Sequence, residues 1–464
     1  MIGVLLLFIA IYTFFQEKYR YISYFLYLSF MIGYGGGLGL WTDHIAGVKN
    51  VDCAVVYTIV INVYYVCTKQ WSLPKFIFVK FYLIFIGFLL ASAIFSLLYY
   101  HLSPVQIVQG GRHFLLLFSL PILYKCSKQE FSKILELLFY VCVVTCILYI
   151  PQIFIGESIL PYEGESEVDE STGLYRFYNY PHTLDVFLCL CFFSISFYKC
   201  ENTIPVRVLF MLTLVSTQGR MYIIITLITL FLFILLTAKR EVLKKQLTIM
   251  LVVALPLLAF ISSRFSEGGT ETDLETLLEG GFDEDYQSES SSTMTYRLAW
   301  AFERGYYLTE RPIGEQIFGL GMCSESQEWV NNKYDFMIGL SDENDQIAQL
   351  KTPDIAYGNM ITQMGFGGSV IYIIFVISLA VFFWKNKNNN PWMAFYAISV
   401  PLVFFLGFAA STFSEPQYFA LPFLMTCLVN EEETSKDDKK KKLKTLLLLL
   451  LKKKRREMQM TVQS

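Results

Sequence analysis

The sequence predicts an all-α, polytopic integral membrane protein: a helical bundle of about 12 or 13 spans that carries one large, partly helical external loop. Two observations predict this class. Hydrophobic residues make up 54% of the 464 positions and the mean hydropathy is +0.46, values that are rare for a soluble domain of this size. The apolar residues also occur in runs that approach the roughly 20 residues needed to cross a bilayer.

Thirteen such runs follow one another along the chain, and several are shorter than a full crossing. Their approximate limits are 2–15, 21–40, 51–68, 76–99, 105–124, 134–156, 183–198, 204–216, 221–238, 247–262, 359–383, 393–410 and 415–429. The first run has no basic residues before it and no small-residue cleavage site after it, so we do not expect a cleaved signal peptide.

Charge orients the predicted bundle. Residues 263–357 hold 19 acidic and 6 basic residues, a net charge of −13, whereas the remainder of the chain carries +10. Basic residues mark alternate short loops, such as Lys18 and Arg20 after the first run and Lys244 and Lys245 after the ninth. The positive-inside rule therefore places the acidic segment and the N-terminus outside and the C-terminus inside. If the first run does not span, both termini lie inside.

The chain divides into four predicted parts. They are an N-terminal transmembrane bundle (1–262), the external loop (263–357), C-terminal transmembrane helices (358–430) and a basic tail (431–464). In the tail, six leucines are too few to span, so we interpret it as a solvated segment, with attraction to anionic lipids as the alternative.

Within the loop, the sequence predicts two helices. Residues 269–281 begin with a capping-box pattern and end at two glycines. Residues 291–312 carry Arg297, Trp300 and Arg304 at three- and four-residue spacing, which places them on one helix face.

Arg220 and Arg297 are the first candidates for a functional site. Arg220 lies between two apolar runs, where an arginine is costly and is a functional hypothesis by default; a snorkelling anchor is the alternative. Arg297 lies on the predicted loop helix beside aromatic residues, with pairing to a loop acid as the alternative. Arg304 shares that helix and is a weaker candidate for substrate binding.

Four further residues lie where spans meet the external side. Arg112 is in QGGRHF (109–114), Arg176 and His182 are in LYRFYNYPHT (174–183), and Asp354 stands where the loop returns to the membrane. An aromatic belt explains the tyrosines near Arg176 without a function, and an acid such as Asp354 at a helix start is often only a cap.

Several arginines at one membrane face favour a phosphate or diphosphate ligand, because guanidinium binds phosphate oxygens in pairs. The sequence has no P-loop and no Cys/His pattern with metal-ligand spacing. It has no basic patch on a soluble domain, so nucleic acid is not an expected partner. We therefore expect no metal and no cofactor.

Four segments in this order resemble the Wzy-type polysaccharide polymerases and the related O-antigen ligases. They are RFYNYPHT (176–183), STQGR (216–220), TYRLAW (295–300) with IFGLGM (317–322), and DIAYGNMITQMGFGG (354–368). The motifs are short, and it is their order and topology over about residues 170–430 that carry the resemblance. Ligases usually have His where this chain has Asp354, which favours a polymerase.

The resemblance implies a metal-independent glycosyltransferase at the outer face of the bacterial inner membrane, with a periplasmic loop. Donor and acceptor would both be oligosaccharides on undecaprenyl diphosphate, and the product would be O-antigen, capsule or exopolysaccharide. Arg220, Arg297 and Asp354 would be catalytic, and Arg112, Arg176, His182 and Arg304 would bind substrate. A flippase and a chain-length regulator would be partners.

Three other interpretations remain open at this stage. A ligase would transfer glycan to lipid A core. A transporter or flippase would move a lipid-linked saccharide, although no internal repeat is visible. A non-catalytic partner in an envelope complex is the third.

Overall fold

The structure is a computed structural model, and the described part is mostly helical. It describes residues 2–32, 38, 44–45, 48–161, 167–168, 173–192, 204–238, 240–241, 243–252, 293–325, 327–338, 348–352, 355–408 and 410–429. The predicted helix at 269–281, Asp354 and the tail at 431–464 lie outside these ranges.

The helices, in chain order, are α1 (Ile2–Phe14), α2 (Arg20–Met31), α3 (Asn50–Cys67), α4 (Ile77–Leu98), α5 (Pro104–Gly111), α6 (Leu120–Leu123), α7 (Lys128–Ile155), α8 (Leu184–Cys191), α9 (Ile204–Ser216), α10 (Arg220–Thr237), α11 (Thr293–Thr309), α12 (Ile313–Phe318), α13 (Glu328–Lys333), α14 (Ala356–Asn386) and α15 (Pro391–Phe405). Two short antiparallel ribbons pair β1 (His44–Ile45) with β2 (Val48–Lys49) and β3 (Glu167–Val168) with β4 (Tyr175–Arg176).

Five helices, α3, α4, α7, α14 and α15, are long and apolar enough to cross a membrane, α15 with its short continuation to Phe408. They coincide with five of the thirteen predicted runs and indicate a membrane protein. The apolar helices α1, α9 and α10 and the segment Pro416–Val429 are shorter.

One predicted span is wrong as a continuous helix. The run 105–124 folds as α5, then a 3₁₀ helix (Arg112–Ser119), then α6. The change from α-helix to 3₁₀ helix falls at Gly110 and Gly111, and glycine is among the residues least favourable for an α-helix. The backbone of Cys323 lies so close to Gly110 that a Cβ there would stand 2.5 Å from it. A tertiary contact, which apolar periodicity does not encode, therefore shapes this segment.

The core of the bundle is aromatic. Helix α14 packs against α4 and α15. Phe85 of α4 meets Tyr372 and Phe375 of α14, with ring centroids 4.9 and 6.3 Å apart, and all three rings are buried. Buried aromatic pairs of this kind add specific geometry to the apolar contact that holds α4 on α14.

The predicted loop helix at 291–312 is confirmed as α11, and α12 and α13 follow it as a small helical unit. This unit packs on the end of the bundle where α4 ends and α14 begins, which we call the loop end. The ring of Phe318 lies 4.8 Å from that of Phe95 in α4. The ring of Trp300 lies directly over Gly358 in the first turn of α14.

Two glycine backbones join the loop unit to the bundle. Gly319 follows α12 and Gly365 interrupts α14 with a φ of +64°. They are so close that a Cβ on Gly365 would lie 2.5 Å from the backbone nitrogen of Gly319. Around this glycine contact, the Leu320 amide donates to the Thr362 carbonyl at 2.8 Å and the Tyr100 hydroxyl donates to the Gly319 carbonyl at 2.8 Å.

We expect Gly365→Ala to release the loop unit. A side chain at a φ of +64° and a ψ of −175°, a conformation essentially confined to glycine, costs about 1–3 kcal/mol, and the contact with Gly319 would also have to open. The expected result is a lower midpoint of thermal unfolding and faster proteolysis within 293–352 in the detergent-purified protein.

Gly305→Ala is the matched control, because Gly305 lies in α11 with open space around its α-carbon. Replacing a helical glycine with alanine favours the helix by roughly 1 kcal/mol, so this variant should be at least as stable as the parent. Equal melting of Gly365→Ala and the parent protein would contradict the importance of the glycine contact.

Candidate functional site

The segment 173–183, which contains Arg176 and His182, is held against the end of α7 by buried side chains. The Gln152 amide donates to the Asn179 side-chain oxygen at 2.7 Å, and Asn179 donates to the Leu160 carbonyl at 3.2 Å. The Tyr149 hydroxyl donates to the Phe177 carbonyl at 2.8 Å. Gln152 and Tyr149 are fully buried, so these bonds form away from competing water and fix the path of the segment.

The turn between α9 and α10 meets the same segment. Gln218 adopts a positive φ of 54° within this turn, and its side-chain amide donates to the Tyr175 carbonyl at 3.4 Å. Tyr149 reaches the Ser216 carbonyl at 3.5 Å as well. Two motifs about 40 positions apart in sequence, LYRFYNYPHT and STQGR, are therefore neighbours in space.

Side chains from the first motif and from the start of α10 form a cluster, which we call the arginine–tyrosine cluster. Its members are Arg176, Tyr178, Tyr180, His182 and Tyr222. The Arg176 guanidinium lies over the Tyr178 ring at 4.6 Å. The Tyr180 ring lies 4.9 Å from that of His182 and 5.0 Å from that of Tyr222. Because Tyr222 stands two positions after Arg220, the start of α10 lies beside the same cluster.

Arg220 is the first residue of α10 in the structure, and its side chain lies outside the described atoms. The amide groups of the first turn of a helix carry a partial positive charge, which favours an anion near them. Arg176 and the N-terminus of α10 thus bring positive electrostatic potential to one place.

The cluster lies against the second half of α7. Thr183 and the Tyr222 hydroxyl lie near Cys142 of α7. Cys142 stands about 20 Å from the end of α7 at Ile155, at 1.5 Å per residue. The Tyr222 side chain therefore lies deeper in the bundle than the turn that begins α10, which contacts Tyr149 and Tyr175.

Asp185, in the first turn of α8, is a residue that the sequence analysis missed. Its carboxylate lies within electrostatic range of the hydroxyls of Tyr180, Tyr222 and Tyr418. The signal was present in the sequence, because an acid within an apolar run such as 183–198 is itself a functional hypothesis. Its position near the helix start is also electrostatically favourable without any function.

A second group of polar residues lies where the loop returns to the bundle. Arg112 forms an ion pair with Asp52 of α3, with a 2.9 Å separation, and its side chain is 44% exposed. The neighbouring His113 lies near Gln363 of α14 and near Lys351. An exposed ion pair of this kind contributes about 0–1 kcal/mol, so Arg112 can exchange Asp52 for another anion at little cost.

Asn359 holds the chain just before Asp354. It accepts a hydrogen bond from the Thr352 amide at 2.9 Å and donates one to the Thr352 carbonyl at 2.7 Å. Ile355, which follows Asp354, is buried at the start of α14. The position of Asp354 in the chain is thus bracketed by ordered contacts, although Asp354 itself is outside the described residues.

Arg297 lies on α11, three residues before Trp300, and is partly buried. Helix α11 packs against α14, and Trp300 is fully buried on Gly358. Arg297 is therefore carried by a helix whose position the bundle determines. It belongs to the loop unit, whereas Arg176 belongs to the bundle beside α7.

Arg304 has an internal role. Its guanidinium is fully buried, lies 4.2 Å from the Trp300 ring, and donates to Glu303 at 2.6 Å and to the Ala348 and Gln349 carbonyls at 3.0 and 3.3 Å. Burial lowers its pKa to about 10, with Glu303 opposing the shift, so the side chain remains charged at neutral pH. Because these contacts occupy the guanidinium inside the loop unit, we leave Arg304 out of the binding residues proposed below.

No known family model and no curated protein matches this chain. Within the described ranges, no group of three His, Cys, Asp or Glu side chains is placed to hold a metal ion.

The arginine–tyrosine cluster combines positive charge, aromatic ring faces and buried hydroxyls. Arg176 and the start of α10 attract negative charge, and Tyr178, Tyr180 and Tyr222 offer ring faces. The buried hydroxyls of Tyr222 and Thr226, one turn apart on α10, make no hydrogen bond to any described residue. Buried polar atoms are nearly always satisfied, so these two hydroxyls favour a polar occupant.

We expect Arg304→Gln to destabilise the loop unit, because it leaves the partly buried Glu303 without its cation. Breaking a buried ion pair costs roughly 3–5 kcal/mol, which should appear as a lower midpoint of thermal unfolding.

Arg311→Gln is the matched control. Arg311 is exposed at the end of the same segment and lies 4.1 Å over the Tyr307 ring, so its loss should leave the midpoint nearly unchanged. A stable Arg304→Gln protein that has lost ligand binding would instead favour a binding role for Arg304.

Proposed function

We propose that this protein is a polysaccharide polymerase that joins lipid-linked oligosaccharide repeat units at the outer face of the bacterial inner membrane. Its large loop would lie in the periplasm. The observation that carries the proposal is the convergence of Arg176 and the start of α10, at Arg220, on one cluster of tyrosines. The resemblance to the Wzy-type polymerases motivates the choice of reaction.

In the proposed reaction, the growing glycan is the donor. A hydroxyl oxygen of the acceptor sugar bonds to the anomeric carbon of the donor glycan as the bond from that carbon to the diphosphate oxygen breaks. Undecaprenyl diphosphate leaves with the bonding electrons, and the proton of the acceptor hydroxyl passes to a carboxylate. Fixed positive groups aimed at the leaving diphosphate stabilise the charge that develops there, which is the largest catalytic effect in many enzymes.

Each arginine has its own binding role in this proposal. Arg220 and Arg297 contact the departing diphosphate, Arg176 and His182 bind donor sugar or phosphate from the fixed segment 173–183, and Arg112 binds at the loop return beside α14. Arginine suits each position better than lysine, since its planar fork pairs two donors with two phosphate oxygens.

Two carboxylates are available as the proton acceptor. Asp354 is our first assignment, from its place at the loop return and from the family pattern. Asp185 is the alternative, because it lies within electrostatic range of Tyr180 and Tyr222. Either would act as a general base, a role that typically contributes 10²–10⁴-fold to a rate.

The product of the reaction provides the first test. Deleting the gene should collapse the length ladder of the surface polysaccharide, on a gel, to species with a single repeat unit. A strain that lacked a ligase would instead accumulate long chains on undecaprenyl diphosphate. That second result would replace the polymerase proposal with the ligase alternative, and an unchanged ladder would exclude both.

Arginine and aspartate variants provide the second test. At normal protein level, Arg220→Ala and Arg297→Ala should lower polymerisation by about 10²–10³-fold, the loss typical when one stabilising group is removed from a transition state. Lysine at either position should restore only part of the activity. Arg311→Ala, at the exposed end of the loop segment, is the matched control and should keep the full ladder.

The same assay separates the two carboxylates. Asp354→Asn should abolish the ladder while Asp185→Asn preserves it if Asp354 is the base, and the reverse pattern would transfer the role to Asp185. Full-length polysaccharide in both arginine variants would refute the diphosphate-binding site.

A further inference from the structure

A second site lies at the end of the bundle opposite the loop end. There α4 begins, α14 ends, and Val429 closes the last described segment. Between them is an open groove of about 520 Å³. Its walls are largely apolar and include Phe76, Phe81, Ile374, Ile377 and Val381.

Two lysines stand on the rim of this groove. Lys75 precedes α4 and Lys385 lies in the last turn of α14, and both line the opening. Both side chains are exposed, and neither has an ion-pair partner among the residues that the structure describes. The rim of the groove is therefore positively charged while its walls are apolar.

The dimensions match one leaflet of a bilayer. From Ile374 to Lys385 the groove follows α14 for about 16 Å, at 1.5 Å per residue. Half of a bilayer's hydrocarbon core is about 15 Å. With the lysines at the level of the lipid headgroups, the apolar walls would extend to the bilayer centre.

Side chains next to the groove support placing its two lysines at the membrane–water interface. Trp384 is half exposed, and the Lys387 ammonium lies over its ring at 3.3 Å. Tryptophan and lysine concentrate where membrane meets water, so the end of α14 has the composition of an interface. Val381 and Ile377, about one and two turns deeper, are about half exposed, as expected of apolar side chains that face lipid.

We propose that this groove binds an anionic phospholipid, with one acyl chain along α14 and the headgroup phosphate between Lys75 and Lys385. Charge complementarity selects the occupant, because two cations with no ion-pair partner among the described residues, above an apolar channel, match a negative headgroup above an acyl chain. The site is independent of the transferase proposal, since it lies at the other end of the bundle and requires no sugar.

Binding of phosphatidylglycerol to the full-length, detergent-purified protein tests the proposal, with phosphatidylcholine as the zwitterionic comparison. Native mass spectrometry should show preferential retention of phosphatidylglycerol, and thermal unfolding should shift upward with that lipid. Lys75→Gln with Lys385→Gln should weaken this binding about thirty-fold, the equivalent of roughly 1 kcal/mol for each lysine.

Two further variants make the result specific. Lys244→Gln with Lys245→Gln, exposed lysines outside the groove, should leave the preference unchanged. Ile377→Trp should fill the channel and reduce binding of both lipids while the rim lysines remain. Equal binding of the two lipids by the parent protein, the result expected if the chain's own tail fills the groove, would overturn the proposal. An unaltered preference in the Lys75/Lys385 variant would overturn it too.

Discussion

Contact between the backbones of Gly319 and Gly365 is the constraint on which the arrangement of the loop end depends. Helix α14 is interrupted at Gly365, and the chain after α12 fits into that interruption because neither residue has a side chain. Two further close approaches involve glycine: the Trp300 ring packs on Gly358, and the Cys323 backbone packs on Gly110. Together these contacts place the loop unit at one position on the bundle.

Charged residues in this protein fall into two physical classes. Arg304 is fully buried, and its hydrogen bonds and ring contacts join separate segments of the loop unit. Arg112 is partly exposed and paired with a partly exposed aspartate, which an incoming anion could replace. Sequence reasoning places both near the same membrane face, whereas burial separates the arginine that maintains structure from one that can bind a ligand.

The two proposed sites present different chemistry. Beside the end of α7, tyrosines, Arg176 and the start of α10 form a cluster with aromatic faces and buried hydroxyls. At the end of the bundle opposite the loop end, an apolar groove opens between helices under two lysines. The proposed lipid-linked substrate and the proposed phospholipid would therefore not compete for one place.

By itself, the sequence determined the class of protein, five of its long apolar helices and the loop helix α11, because hydropathy and helical spacing are local properties of a chain. It also singled out the motifs that carry Arg176 and Arg220. Only the tertiary structure decided that these motifs meet, that residues 105–124 break at Gly111, that Arg304 is buried and that Asp185 lies near Tyr180 and Tyr222. Each of those depends on contacts between residues far apart in sequence, which no local pattern encodes.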